Sequence, residues 1–113
     1  MVKVGLQLYV SEGKRVLDYL TEKGFEIFLD LKLHDIPNTV NRTVKEISNF
    51  NVAMTTIHLQ GGRDMIEAAL ESSSRTKIIG VTSHYLTENL EQGPIRFQDS
   101  FTVSPEETVA VSY

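Results

Sequence analysis

One stretch, residues 26–39, constrains the fold more than any other part of the chain. Residues 26–31 are almost continuously apolar and include aromatic and β-branched side chains, which is typical of a strand covered on both faces of a parallel sheet. Because successive strand side chains point to opposite faces, Asp30 and Lys32 are predicted to be neighbours on the face of Phe28. A buried strand with a carboxylate and an ammonium on one face needs a chemical explanation.

The end of this strand is predicted from the residues that follow it. Pro37 cannot continue a central strand, while Asn38 and Thr39 are good helix N-caps for a helix over about residues 38–49. The strand therefore ends near residue 32 or 33, and Asp35 lies on the next loop. The three charged side chains are then expected at the carboxyl end of a parallel strand, where α/β folds place their sites.

Two interpretations of this charged cluster are open from the residues alone. The first is a structural ion pair that caps the strand. The second is a proton donor, because Lys32 with a carboxylate on either side, Asp30 and Asp35, is kept charged by its neighbours in a cleft.

The stretch closely resembles the signature of orotidine 5′-phosphate decarboxylases, Asp-x-Lys-x-x-Asp-Ile-Pro-x-Thr. Related decarboxylases that act on keto-sugar phosphates share only the Asp-x-Lys-x-x-Asp core, so the Ile-Pro-x-Thr tail favours the orotidylate branch. The residues that meet the full signature are Asp30, Lys32, Asp35, Ile36, Pro37 and Thr39.

The resemblance implies an α/β fold, a partial TIM (β/α)8 barrel with about four parallel strands alternating with helices. A complete barrel has about 250 residues, so the 113 residues are expected to form a single partial barrel domain without the first strand and the C-terminal half of the family. By the same resemblance, Lys3-Val4-Gly5 ends a strand that begins mostly before Met1, and a loop follows it.

The resemblance also implies a site and a reaction. Asp30 and Asp35 crowd the carboxylate of orotidine 5′-phosphate and hold Lys32 as a cation; CO₂ leaves, and Lys32 protonates the carbanion at ring carbon 6. Lys3 contacts both the substrate and Asp30. No metal or organic cofactor takes part. The substrate-binding residues implied are Lys3, Asp30, Lys32, Asp35, Ile36, Pro37, Thr39 and Thr87.

A homodimer is implied as well, because in the family the loop after the signature strand crosses a two-fold interface. Asp35 and Thr39 then complete the partner's site, while Asp30 and Lys32 serve their own. An open half barrel would expose strand edges and an apolar face, which is an independent reason to self-associate.

The remaining elements are predicted from periodicity and from helix and turn signals. His58 could be catalytic, metal-binding or structural, and the resemblance assigns it only to the wall of the site. The predicted elements are a helix from Ser11-Glu12 to just before Gly24, a strand Val52–His58 ended by Gly61-Gly62, a helix from Arg63, a strand Ile78–Thr82, an irregular connection 88–102 and a helix from Ser104.

Composition narrows the classes of partner. The net charge of −4 with 11 scattered Lys and Arg argues against nucleic-acid binding, and the absence of cysteine excludes disulfides and thiolate-bound metals. No apolar run is long enough to span a bilayer, so a cytoplasmic protein with no membrane partner is predicted.

Two alternative functions remain open at this point. In the family, a glutamine and an arginine in later loops hold the phosphate, and this sequence lacks those loops. The chain is therefore expected to have greatly reduced catalytic activity, or to act as a noncatalytic dimerising fragment. Alternatively, the charged residues would organise the enediolate of a keto-sugar phosphate, normally with Mg²⁺.

Overall fold

The computed structural model describes residues 1–83, 98–104 and 107–112. In those ranges, no helix is both long enough and apolar enough to cross a membrane. The elements in chain order are β1 (Val2–Gly5), α1 (Leu6–Glu12), α2 (Lys14–Glu22), β2 (Ile27–Leu33), α3 (Pro37–Ser48), β3 (Val52–His58), a 3₁₀ turn (Leu59–Gly61), α4 (Arg63–Glu71), β4 (Lys77–Ser83), β5 (Gln98–Ser104) and β6 (Glu107–Ser112).

The six strands form one sheet in chain order, and β1 to β4 are parallel. Gly5 at the end of β1 is the neighbour of Asp30 in β2, and His58 at the end of β3 is the neighbour of Val81 in β4. Because parallel strands end at the same edge of a sheet, the carboxyl ends of β1, β2 and β3 lie side by side. The predicted alternation of four parallel strands with helices, a partial (β/α)8 barrel, is confirmed.

The core lies between one face of this sheet and the helices, because each helix buries one stripe of apolar residues against the strands. Alternate residues of the strands form the other side of that core. In α3 the buried stripe consists of Val40, Val44 and Ile47, which are spaced three and four positions apart. The buried clusters are Val4, Leu17, Ile27, Leu29, Ile47 and Val52, and Val40, Val44, Ile57, Met65, Ala69 and Ile78.

The segment after β1 differs from the prediction. The strand does end at Gly5, but α1 follows it directly instead of a loop, and the helix predicted from Ser11 begins at Lys14. Gly13 separates α1 from α2 with a φ of 67°, a left-handed conformation that interrupts a helix and favours glycine. Gly24, with a φ of 85°, follows the end of α2 as predicted.

The carboxyl-terminal prediction was wrong wherever the structure describes it. Strand β5 replaces the end of the irregular connection, and strand β6 stands where a helix was predicted from Ser104. Strand β5 pairs antiparallel with the edge of β4, with Ile78 opposite Val103, and β6 pairs antiparallel with β5. Pairing there satisfies the backbone groups that the edge of β4 would otherwise expose, and the β-branched residues of 107–112 suit a strand. Long-range pairing thus outweighs the local helix signals.

Candidate active site

Two lysines contact one buried carboxylate at the carboxyl ends of β1 and β2. Asp30 is only 7% exposed, and Lys3 Nζ lies 3.1 Å from its Oδ2 atom. Lys32 Nζ donates to Asp30 Oδ1 and Oδ2, each at 3.1 Å. The structure therefore brings together Lys3, Asp30 and Lys32 of the predicted site, hereafter the charged cluster. With two ammonium groups and one carboxylate, the cluster carries a net positive charge that suits an anionic ligand.

The electrostatics of the cluster favour the ionised carboxylate. Burial raises the pKa of Asp30, but hydrogen bonds from Thr56, Lys32 and Lys3 outweigh it and bring the pKa below its usual value. Asp30 is consequently an anion at neutral pH. Lys32, 32% exposed, is reachable by a ligand while it contacts this anion.

The backbone at Lys32 departs from a regular strand. Its φ is 51°, a left-handed conformation that costs a non-glycine residue about 1–2 kcal/mol. The pairing of β2 with β3 also shifts here. Leu29 pairs with Thr55 and Leu33 pairs with Ile57, so β2 advances four residues while β3 advances two. Regular alternation of side chains predicted Lys32 beside Asp30, and the two are in contact. The contact, however, is formed at a bulge and not in a regular strand.

Thr56 of β3 is a site residue that the sequence analysis placed on the correct strand without giving it a role. Its Oγ1 accepts a hydrogen bond from the backbone N–H of Lys32 at 2.8 Å and donates to Asp30 Oδ1 at 2.8 Å. The available signal was its position two residues before the end of β3, on the face of His58. A hydroxyl at the end of a strand beside the signature strand is in reach of the charged cluster.

The rest of the signature lies on the surface beside this cluster. Asp35 and Thr39 are exposed, Ile36 is 64% exposed, and Pro37 is the first residue of α3. Asp35 Oδ1 accepts the backbone N–H of Ile36 at 2.7 Å, and within residues 1–83 it forms no ion pair with Lys32. The predicted flanking of Lys32 by two carboxylates is therefore not present within a single chain.

The start of α3 also corrects the prediction that Asn38 or Thr39 caps it. Ile36 occupies the N-cap position without a side-chain hydrogen bond, because Pro37 takes the first helical position. Thr39 consequently lies in the first turn of the helix.

His58 lies at the end of β3 against a second histidine. The rings of His34 and His58 are 5.3 Å apart, and His58 Nδ1 is buried with no hydrogen-bond partner in the part of the chain that is described. Burial, followed by the nearby His34 and Lys32, lowers the pKa of His58, so its ring is neutral at neutral pH. A neutral ring beside Lys32 is compatible with the predicted wall of the site.

Two further predictions concern the loops. Thr87 lies outside the described residues. The Gly61-Gly62 pair, which was predicted to end the strand, forms a strand-to-helix turn, since Gly61 ends the 3₁₀ turn and Gly62, with a φ of 93°, precedes α4.

The lowered pKa of Asp30 predicts a pH-dependent contribution to stability. A carboxyl group whose folded-state pKa lies below the unfolded value of about 3.9 stabilises the fold above that pH, and the contribution is lost as the pH falls through the folded-state pKa. Urea denaturation at constant ionic strength gives the free energy of unfolding of the native chain and of Asp30→Asn. We expect the difference between the two to shrink as the pH falls from about 3.9 through the folded-state pKa of Asp30.

The matched control for this measurement is Asp18→Asn. Asp18 forms an exposed ion pair with Lys14, 3.9 Å apart, and such pairs contribute little. The free energy of unfolding of Asp18→Asn is expected to stay close to that of the native chain at every pH. A difference for Asp30→Asn that does not change with pH would contradict the assignment of the charge to Asp30.

Comparison with known proteins agrees with this geometry. Residues 1–95 match the family "Orotidine 5'-phosphate decarboxylase / HUMPS family". The orotidine 5′-phosphate decarboxylase of Fusobacterium nucleatum is 42% identical over 112 residues, which are 96% of this chain and 46% of that protein. The one from Ehrlichia canis is 49% identical over 84 residues, covering 73% of this chain and 37% of that protein.

Solved structures also resemble this chain in fold. The crystal structure of orotidine 5′-phosphate decarboxylase from Lactobacillus acidophilus superposes with a TM-score of 0.69 at 34% identity, covering 82% of this chain and 46% of that one. An uncharacterized conserved protein from Geobacillus kaustophilus superposes with a TM-score of 0.72 at 39% identity, covering 82% and 47%. The chain spans about half the length of the relatives it matches. By its sequence and its fold, this chain belongs to the orotidine 5′-phosphate decarboxylase / HUMPS family.

Proposed function

We propose that this chain supplies the catalytic half of an enzyme that decarboxylates orotidine 5′-phosphate to uridine 5′-phosphate in pyrimidine biosynthesis. The observation that carries the proposal is the charged cluster, in which Lys3 and Lys32 contact the buried Asp30 at the carboxyl ends of parallel strands. The relatives from Fusobacterium nucleatum and Ehrlichia canis are called orotidine 5′-phosphate decarboxylases, and the full signature of that branch is present in residues 30–39.

The proposed chemistry uses the cluster as follows. The nucleotide's carboxylate lies against the fixed negative charge of Asp30, while the ammonium of Lys32 faces ring carbon 6. The bond from this carbon to the carboxylate breaks, CO₂ leaves, and the electron pair stays on the ring carbon. Lys32 stabilises the developing carbanion and then donates an Nζ proton to it. The proton takes the place of CO₂ on ring carbon 6, and the reaction proposed here uses no metal or organic cofactor.

The surface around Asp35 supports a homodimer as part of this proposal. Asp35 and Thr39 are exposed, and the large apolar side chain of Ile36 between them is 64% exposed. Covering Ile36 with a second copy would bury apolar surface and bring Asp35 to the partner's charged cluster. In that arrangement each Lys32 has a carboxylate on either side, as the signature implies.

We also propose that the protein acts in the cytoplasm.

A direct assay tests the proposed function. Residues 1–113 are incubated with orotidine 5′-phosphate, and so is a completed chain, in which residues 1–95 replace the matching region of the Fusobacterium nucleatum relative. The completed chain is expected to decarboxylate the nucleotide and the shorter chain to be much weaker, because binding energy from the remote phosphate drives chemistry at the ring.

The outcome also separates the second candidate, a noncatalytic dimerising fragment. That function is favoured by the exposed apolar side chains of Leu6, Val10 and Tyr19 on the first two helices. A folded completed chain without activity, beside an active relative, would overturn the catalytic proposal and leave the second candidate. Activity that requires Mg²⁺ and a keto-sugar phosphate would instead favour the alternative in which the charged residues organise the enediolate of a keto-sugar phosphate.

A further inference from the structure

The hydroxyl of Thr56 joins the backbone of one cluster residue to the side chain of another. It is only 2% exposed, and it lies 2.8 Å from the Lys32 backbone nitrogen and 2.8 Å from Asp30 Oδ1. The hydroxyl has one proton, which it donates to the carboxylate, while a lone pair accepts the Lys32 N–H. Both bonds connect β3 to the bulged part of β2.

We propose that Thr56 is a positioning residue that holds Asp30 and Lys32 in the geometry in which the ammonium meets the carboxylate. It does not touch the reacting atoms in this role. Its effect on turnover rests on the proposed function, whereas its effect on the carboxylate and on the Lys32 backbone does not.

The bulge explains why the backbone needs this hydroxyl. The shift of pairing between Leu29 and Leu33 takes Lys32 out of the regular ladder with β3, and its φ of 51° is unfavourable for a lysine. A partly buried N–H without an acceptor would destabilise this conformation further. Thr56 Oγ1 supplies the acceptor from the neighbouring strand, so a side chain replaces the missing ladder bond.

The same hydroxyl fixes the carboxylate. Asp30 receives hydrogen bonds from Thr56 and Lys32 and an ion pair from Lys3, and Thr56 is the partner that is itself fully buried. Long lysine side chains change rotamer easily, whereas a β-branched threonine in a strand has a restricted χ1 angle. A rigid donor therefore sets the plane of the carboxylate before any ligand arrives, which is the preorganisation that electrostatic catalysis needs.

The adjacent Thr55 provides a matched control. It is fully buried in the same strand, and its hydroxyl donates to the backbone carbonyl of Leu29 in β2 at 2.8 Å. It therefore makes a bond of similar length between the same two strands, but on the opposite face and away from the charged cluster. Thr55→Val and Thr56→Val each replace one buried hydroxyl by a methyl group, at adjacent positions of β3.

The experiment compares three variants of residues 1–113 by NMR: Thr56→Val, Thr56→Ser and Thr55→Val. In Thr56→Val the pKa of the Asp30 carboxyl is expected to rise, because a hydrogen bond to its charged form is lost, and the amide signal of Lys32 is expected to shift. Thr56→Ser is expected to keep both values close to native, and Thr55→Val is expected to change neither. Equal effects of Thr56→Val and Thr55→Val would overturn the proposal.

A measurement on the native chain keeps the proposal testable if Thr56→Val does not fold. One hydroxyl connects the two residues, so protonation of Asp30 at low pH is expected to move the amide signal of Lys32 with the same midpoint. A Lys32 amide that does not respond to the titration of Asp30 would overturn the proposal.

Turnover in the completed chain adds the catalytic readout. A hydrogen bond to a charged group converts to about a ten- to hundredfold change in rate, so kcat of Thr56→Val is expected to fall by about that factor with little change in KM. Thr56→Ser is expected to recover most of it. Native kcat in Thr56→Val would overturn the catalytic part of the inference, while an inactive completed native chain would count against the proposed function and leave the NMR results standing.

Discussion

Lys32→Ala in the completed chain is expected to lower the turnover number for orotidine 5′-phosphate by about a thousandfold or more. Lys32 is the proposed proton donor and the cation nearest to the developing carbanion, and its Nζ lies 3.1 Å from both carboxylate oxygens of Asp30. The substitution removes both contributions at once, while Lys3 remains to pair with Asp30 in the folded chain.

Turnover and far-ultraviolet circular dichroism measure this effect together. Lys14→Ala is the matched control, because Lys14 is an exposed lysine whose ion pair with Asp18 spans 3.9 Å on the surface of α2. Its turnover is expected to be native. A folded Lys32→Ala chain with near-normal turnover would refute the role of this lysine and with it the proposed reaction.

Mixing Asp35→Ala with Lys32→Ala, each inactive alone, is expected to restore activity in the completed chain. Asp35 is exposed and bonded to the backbone of Ile36 rather than to Lys32 of its own chain, which fits a carboxylate that serves a partner. If sites are shared, a heterodimer contains one site with both residues native and one site that lacks both. Activity is expected to approach half of the native value per heterodimer.

Subunit exchange needs its own measurement, for example mass spectrometry of differently tagged chains. A mixture that exchanges and yet stays as inactive as either parent would contradict the shared site. Light scattering tests the assembly separately, because a monomer at high concentration would contradict the homodimer itself. Both results would leave the charged cluster within one chain unaffected.

Local patterns predicted the elements whose burial repeats with a clear period. The alternation in β2 predicted Asp30 and Lys32 on one face, and Ile27 and Leu29, which alternate with Asp30, lie in the core; Val40 and Val44, four positions apart, form the buried stripe of α3. The end of β2 near Leu33 followed from Pro37, because proline cannot continue a central strand. These predictions hold because each depends on a few neighbouring residues and on burial that is uniform along the element.

The sequence by itself determined the residue types of the site and the strand that carries most of them, whereas the tertiary structure decided how they meet. The left-handed φ of Lys32, its bond to Thr56 and the antiparallel pairing of β5 with β4 all depend on atoms distant in the chain. No local pattern specifies such contacts, because backbone groups take the partner that the packed sheet offers. Asp35 shows the same limit, since its separation from Lys32 within one chain is set by the loop geometry after β2.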